Sequence, residues 1–323
     1  MQSELAEWAG SRGYRAVWYG VSAVNRAVEA ITRFRDQRAF NDVFYERSLS
    51  WVCGSELPVL PAEKSVVVVA VPRPAHVATF DHHGQSVDLI LPPTYHNYSG
   101  LPNEVKKDLE SFLGHGASLR AVKAPLKGVA ARTGLVRYGR NNITYVDGIG
   151  SYAQLMAFAS HISLAPSSNP DSVEPSALDQ CRTCKACYTA CPTGAISADR
   201  FLLHAHRCVT WQSEYEGPLP DAFGAAKRPC LVGCMVCQEV CPANRGLLRL
   251  EHLGVHFTQD ETELLLGEGA GSALTPETCA KIQALRCSDC TVTSGRPAST
   301  FRRNLDAVLK HRRLSVPLKA DCI

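Results

Sequence analysis

The sequence has no long apolar run. Its longest strongly aliphatic stretch, Val66 to Val71, is far too short to cross a bilayer. A large charge of one sign is also missing. There are 34 basic and 31 acidic residues, a formal balance of +3, which is not the strongly basic character of a nucleic-acid-binding domain. The opening residues, Met1-Gln-Ser-Glu-Leu-Ala-Glu, carry neither a basic n-region nor an apolar h-region nor a twin-arginine pair, so no export signal is expected. No repeat longer than the cysteine motif and no low-complexity tract is found. These absences point to a cytoplasmic protein with neither membrane nor nucleic acid among its partners. The rest is ordinary globular composition: 323 residues, 45% hydrophobic and 20% charged, enough for a full core and two or three domains.

What the sequence has in quantity is cysteine. There are 14, nine of them between Cys181 and Cys241. With no export signal, thiols clustered this way indicate metal ligation rather than cross-linking. Cys181, Cys184, Cys187, Cys191 and Pro192 complete the pattern C-x2-C-x2-C-x3-C-P. Three thiolates on a tight loop reach three iron corners of one cubane, and the fourth, followed by proline, points to another cluster. Zinc knuckles use paired C-x2-C units without a third cysteine at this spacing. A second motif, Cys234, Cys237, Cys241 and Pro242, supplies three of its four positions, and the missing one falls on Leu231. Cys230 and Cys208 are the two replacements. A one-residue frame shift aims the Cys230 thiol elsewhere, whereas a long loop can deliver Cys208, which is therefore preferred. Reciprocity then gives one [4Fe-4S] cluster to Cys181, Cys184, Cys187 and Cys241, and a second to Cys191, Cys208, Cys234 and Cys237. Each cluster with its thiolates carries about −2, so two would bring the formal charge to about −1. Cys279, Cys287 and Cys290 lack a fourth ligand and are expected to be small, partly buried thiols. His82-His83, beside Asp81, is expected in a solvated loop.

Periodicity supplies the elements. Ser3 is expected to cap a helix ended by Gly13, with a short strand from Arg15 to Tyr19 and a helix over 24–36. The β-branched run after Lys64, closed by Pro72, predicts a central strand covered on both faces. Residues 103–113 predict an amphipathic helix with Val105, Leu109, Phe112 and Leu113 on one face. A helix is expected over 121–131, a strand over 142–146, and a further helix face from Tyr152, Leu155, Met156, Ala159 and Ile162. A polar, proline-rich stretch over 165–176 is the best domain boundary. Beyond Arg245 helices are expected over 260–266, 276–285 and 301–313. The expected domains are 1–170, 171–250 and 251–323.

Ala131-Arg-Thr-Gly134-Leu135, then Gly139-Arg140-Asn141 and a strand, then the cysteine module, resembles the epoxyqueuosine reductase and reductive dehalogenase superfamily. The opening Leu5-Ala-Glu-Trp-Ala-Gly-Ser-Arg-Gly-Tyr, Tyr95-His96, Ala124-Pro125-Leu126, the lone Cys208 and Phe301-Arg-Arg-Asn304-Leu extend the likeness along the chain. It implies an α+β protein: a nitroreductase-like α/β cobalamin-binding domain, a ferredoxin-like double-cluster domain and C-terminal helices. It implies base-off cobalamin beside two clusters, fed by an external low-potential donor such as ferredoxin or flavodoxin. Gly134, Arg137, Gly139, Arg140, Asn141, Ser151 and Tyr152 are the cobalamin-contacting positions it suggests. The family's Val-Asp-x-x-Pro acid is replaced by Ala121-Val122-Lys123-Ala124-Pro125, and the tRNA-binding helical repeats of some members are not found. The proton donor would then be Tyr138, its pKa lowered by Lys123 or Arg137, with His96 as the next candidate. The leading expectation is an oxidoreductase acting on a small-molecule substrate. An electron-transfer or cobalamin-handling protein is the alternative, and tRNA epoxyqueuosine reduction is ranked last.

Overall fold

The computed structural model describes residues 2–53, 63–114, 116–163, 173–267, 273–293 and 296–312. In chain order the main strands are β1 (Arg15–Gly20), β2 (Ser65–Pro72), β3 (Ala75–His82), β4 (Gln85–Leu91), β5 (Leu119–Ala121), β6 (Arg137–Tyr138), β7 (Thr144–Tyr145), β8 (Ala153–Ser160) and β9 (Leu250–Phe257). The chain forms two compact units that interleave along the sequence. One comprises Met1–Arg73, Tyr98–His206 and Cys237–Leu248, the other Pro74–Asn97, Arg207–Val236 and Arg249–Ile323. Most of the boundary stretch expected over 165–176 lies outside the described residues.

The first unit is built on an antiparallel sheet in the order β1-β2-β8-β5. As its unbroken valine run predicts, β2 is central, and every residue from Ser65 to Val71 is buried. Alternate side chains feed two cores. Trp18, Val67, Val69, Met156 and Phe158 pack with Leu5 and Trp8 of the helix Gln2–Ser11 and with Leu101, Val105 and Leu109 of the helix Leu101–Leu113. On the other face Val66, Val68, Ala157 and Ala159 meet Ala23, Val24 and Ala27 of the helix Ser22–Asp36 and Val129 to Ala131 of the helix Leu126–Arg132. Small side chains let these helices come close: a Cβ added at Gly128 would lie 3.3 Å from that of Ala27.

Several expectations are corrected here. The segment around Leu155 and Met156 is a strand, β8, paired to β2 and β5. With helices on both faces it has no solvated side, so its apolar residues fit a helical stripe as readily as a strand. The helix expected over 121–131 splits into β5 and the helix Leu126–Arg132, separated at Ala124-Pro125. The strand expected over 142–146 shortens to β7, with Asn142 in the left-handed region at φ 59°.

In the second unit β3 and β4 form a hairpin through His83 and Gly84, both at positive φ, and β9 pairs parallel to β3. The stretch after Arg245, expected as helices throughout, thus begins with a strand. The expected helices follow as Gln259–Leu266, Pro276–Ala284 and Ser299–Arg312. Phe80 stacks on Phe257 with ring centroids 4.6 Å apart, in a core shared with Leu265, Ile282, Phe301 and Leu305. His82 is buried at the end of β3 rather than solvated. Cys287 and Cys290 are buried in this core and Cys279 packs against it.

Candidate functional site

The first cysteine motif folds as its spacing requires. A single 3-10 turn, Asp179–Arg182, places Cys181; Cys184 follows in the loop, and the short helix Ala186–Ala190 carries Cys187. Cys241, followed by Pro242 and a second 3-10 turn, Pro242–Asn244, comes to the same place. Cys181, Cys184, Cys187 and Cys241 line one pocket with Gly139, Arg140, Asn141 and Tyr145. Among the described residues no group of three or more His, Cys, Asp or Glu side chains is placed to hold a metal ion.

The electrostatics of this pocket disfavour thiolates standing together without a cation. Burial pushes the Cys187 thiol up to about 11, and the neighbouring sulfurs of Cys181, Cys241 and Cys184 push the same way. Burial likewise raises Cys181, against backbone and guanidinium stabilisation from Arg140. A cationic iron core supplies the missing positive charge, so this donor set suits an iron–sulfur cluster.

The glycine motif supports the pocket wall. Gly134 adopts φ 73°. At Gly139 the reason is space: a Cβ there would lie 2.5 Å from both Asn141 Oδ1 and Tyr145 Cε2. Arg140 donates to the carbonyls of Ala198 and Cys181, each at 3.1 Å, and its guanidinium lies 5.1 Å from the Phe201 ring centroid. Asn141, buried, donates to Tyr145 Oη at 3.0 Å. Ser151 is bound by the loop that carries Cys241: its N–H donates to Asn244 Oδ1 at 2.9 Å and its hydroxyl to Gln238 Oε1 at 2.8 Å. Tyr152 is buried and its carbonyl accepts from Arg73 N at 2.8 Å. Sequence reasoning missed Tyr145, Gln238 and Asn244. Their only signal was proximity to a motif.

The second set is divided: Cys191 and Cys237 belong to the first unit, Cys208 and Cys234 to the second. Cys230, the alternative ligand, is buried in a bridge to Ile90, its thiol 3.9 Å from the Arg228 carbonyl.

The surroundings of the proton-donor candidates differ from those expected. Burial pushes the Tyr138 phenol up to about 12, and the cation that opposes this is Arg132. Arg137 is engaged by Asp147 at 2.8 Å and Asp179 at 3.9 Å, and Lys123 Nζ lies over the Trp51 ring. A cation lowers a phenol only where its attraction exceeds the cost of desolvating the phenolate, and here burial prevails. His96 belongs to the second unit, where its Nδ1–H donates to the Leu285 carbonyl at 2.8 Å.

Residues 180–244 match the family described as a 4Fe-4S double cluster binding domain. This supports two clusters. Over 266 residues the chain is 25% identical to a protein of Bacillus subtilis (strain 168), covering 76% of this chain and 64% of that one. Over 120 residues it is 32% identical to a protein of Lactococcus garvieae (strain Lg2), covering 37% and 32%. Both relatives are epoxyqueuosine reductases. The matched region therefore spans under two thirds of the length of either. Solved structures of epoxyqueuosine reductase share the mixed α/β fold. The Bacillus subtilis enzyme gives a TM-score of 0.63 at 22% identity, covering 96% of this chain and 81% of that one. One solved with an epoxyqueuosine-modified tRNA stem loop gives 0.65 at 22%, covering 96% and 80%.

These findings correct two expectations. The relatives are oxidoreductases named for a modified nucleoside, which overturns the ranking of small-molecule reduction and electron or cobalamin handling above tRNA chemistry. A structural neighbour holding a tRNA stem loop likewise contradicts the expectation of no nucleic-acid partner. Net charge averages over the whole surface, whereas phosphate contacts need only a local basic patch, so a sum of +3 does not exclude a nucleic-acid partner. Among the described residues no helix is long and apolar enough to cross a membrane.

Proposed function

We propose that this chain is an oxidoreductase that reduces an epoxide-bearing nucleoside in tRNA, with electrons entering through two [4Fe-4S] clusters. The observation that carries the reading is the likeness to an epoxyqueuosine reductase over 266 residues, 76% of the chain, together with the double-cluster match at residues 180–244. Reduction of an epoxide consumes two electrons and two protons, whether it gives an alcohol or an alkene and water. Two clusters, each a one-electron carrier, can hold the pair. Cys181, Cys184, Cys187 and Cys241 are assigned to the first cluster, and Cys191, Cys208, Cys234 and Cys237 to the second.

Cobalamin comes to this chain through the family resemblance, and the residues fit it in part. Asn141, Ser151 and Arg140 spend hydrogen bonds on the cysteine-bearing loops. Arg132, in the same glycine motif, is buried with Nε and Nη1 lacking partners, and it acts on Tyr138. Arg132 and Tyr138 are therefore our choice for holding the corrinoid's polar groups. When bound, cobalamin supplies a low-potential cobalt centre for reducing carbon–oxygen bonds. Tyr138, neutral at physiological pH, serves as a hydrogen-bond donor and stays protonated.

The test is anaerobic incubation of the reconstituted chain with cobalamin, dithionite and an epoxyqueuosine-containing tRNA stem loop, followed by nucleoside mass spectrometry. Loss of the epoxide nucleoside is expected. An unchanged nucleoside, with both clusters and cobalamin bound, would sink the reading.

A further inference from the structure

The segment Cys237–Leu248 belongs to the first unit, although the chain on either side of it, Arg207–Val236 and Arg249–Ile323, belongs to the second. This short arm carries Cys241 to the pocket of Cys181, Cys184 and Cys187. Its hydrogen bonds close into a ring. Asn244 and Ser151 are both buried. Asn244 Oδ1 accepts from Ser151 N at 2.9 Å, and its Nδ2 donates to Ser151 Oγ at 2.7 Å and to the Gln238 carbonyl at 2.8 Å. The Ser151 hydroxyl donates in turn to Gln238 Oε1 at 2.8 Å. Only one orientation of the Asn244 amide serves, since reversing it would set oxygen against the Gln238 carbonyl and the amino group against an N–H. Cys241 lies inside this ring: its N–H donates to the same Gln238 carbonyl at 3.3 Å, and its carbonyl accepts from Asn244 N at 2.9 Å. Ser151 is a firm anchor. It stands just before β8, after a turn in which Val146 and Gly150 exchange two backbone hydrogen bonds of 2.9 Å each. Gly150, at φ 71°, leaves the ring its space, because a Cβ there would run into Asn244 Oδ1 and the Leu247 side chain.

We propose that Ser151, Gln238 and Asn244 are positioning residues that dock the Cys241 arm, so that the fourth corner of the first cluster is held by a buried hydrogen-bond ring. The proposal rests on the assignment of Cys241 to that cluster. Cys181, Cys184 and Cys187 share one local loop, which keeps their spacing whatever the arm does. Cys241 comes from far along the chain, and its apolar support is small: it packs with Ala243 against Tyr145, Leu178 and Cys181. Small apolar contacts leave the register of an arm loosely set. Buried hydrogen bonds are directional, and a partner left bare costs free energy, so the ring admits one register. Ser151, suggested by the family resemblance as a cobalamin contact, here serves a cluster ligand. When Cys241 swings away, the iron at its corner has lost its thiolate. Ferricyanide then converts the [4Fe-4S] core at the 2+ level to [3Fe-4S] at the 1+ level: one ferrous ion leaves, one electron passes to ferricyanide, and the other three thiolates stay bound.

The experiment is ferricyanide titration of the reconstituted full-length chain, with the three-iron signal followed by electron paramagnetic resonance and iron and acid-labile sulfide measured on the same samples. Cys241→Ala and Cys237→Ala supply the reference spectra for the two clusters. Asn244→Asp keeps the size and the acceptor but turns the donor into a carboxylate oxygen facing the Gln238 carbonyl. Ser151→Ala keeps the N–H bond to Asn244 and loses both bonds of the hydroxyl. Each should form the three-iron species about tenfold faster than the wild type, the factor expected when one buried hydrogen bond is lost, and with the spectrum of Cys241→Ala. Ser151→Ala decides the matter if Asn244→Asp fails to fold. A wild-type rate in Ser151→Ala would overturn the docking role, and so would a spectrum matching Cys237→Ala. If instead Cys241→Ala keeps both clusters, the ligand assignment beneath the proposal is what has failed.

Discussion

At the scale of single residues, environment determines chemistry that residue type leaves open. Cys230 and Cys208 are equivalent as letters. Cys230 is buried in a backbone bridge with Ile90, its thiol 3.9 Å from the Arg228 carbonyl. We expect Cys208→Ala to lose one cluster or convert it to a three-iron form, and Cys230→Ala to keep both. Iron analysis with electron paramagnetic resonance checks this, and the reverse pattern would exchange the two roles. Glu214 is a second case. It accepts a short hydrogen bond from the Tyr95 hydroxyl. Burial, reinforced by Asp289, pushes its carboxyl up to about 7, with the Tyr95 bond opposing. A raised carboxyl pKa means that, between the ordinary glutamate value of ~4.3 and about 7, the folded chain holds a proton that the unfolded chain has released. Stability therefore falls as pH rises through that window and levels off above it, at a cost of roughly 3–4 kcal/mol if the shift is complete. Glu214→Gln should remove most of this slope in denaturation measured from about pH 5 to 8. An unchanged slope would place the titrating group elsewhere.

At the scale of elements, β8 shows where a sequence pattern can point both ways. A helix over 152–162 would turn Leu155, Met156 and Ala159 inward and set Phe158 on the flank of that face rather than within it. As a strand, β8 sends Met156 and Phe158 to one core and Ala157 and Ala159 to the other. Phe158→Ala distinguishes the two. Phe158 is fully buried, so its truncation should cost about 3–5 kcal/mol, whereas a residue on a solvated helix face would cost about 0.5 kcal/mol or less. Urea denaturation reads the difference directly. The helices that were legible had the features β8 lacks. The helix Leu101–Leu113 has a polar face alongside Val105 and Leu109, and the helix Gln259–Leu266 begins with a complete capping box from Thr258 and Glu261.

At the scale of the whole molecule, two outcomes follow from the proposed function. Careful anaerobic reconstitution should give about eight iron and eight sulfide per chain, four of each per cubane, and four iron per chain would remove one cluster. Binding to a tRNA stem loop should weaken as salt rises, with a linear fall of log affinity against log salt, because phosphate contacts release counterions. Salt-independent binding, or none, would count against a tRNA substrate despite a net charge of only +3.

The sequence by itself determined the iron–sulfur chemistry, the first cysteine loop and the central strand β2. Ligand spacing is a local constraint, and an unbroken valine run has few uses other than a doubly covered strand. Of the two motif glycines, Gly134 serves a positive φ and Gly139 a close approach. Only the tertiary structure decided that Tyr145 and Asn141 stand in the wall of the pocket lined by these cysteines, and that Tyr138 is a weaker acid than a free tyrosine. Each of these depends on what chain distant in sequence removes from water or brings within a hydrogen bond, and no local spacing encodes that.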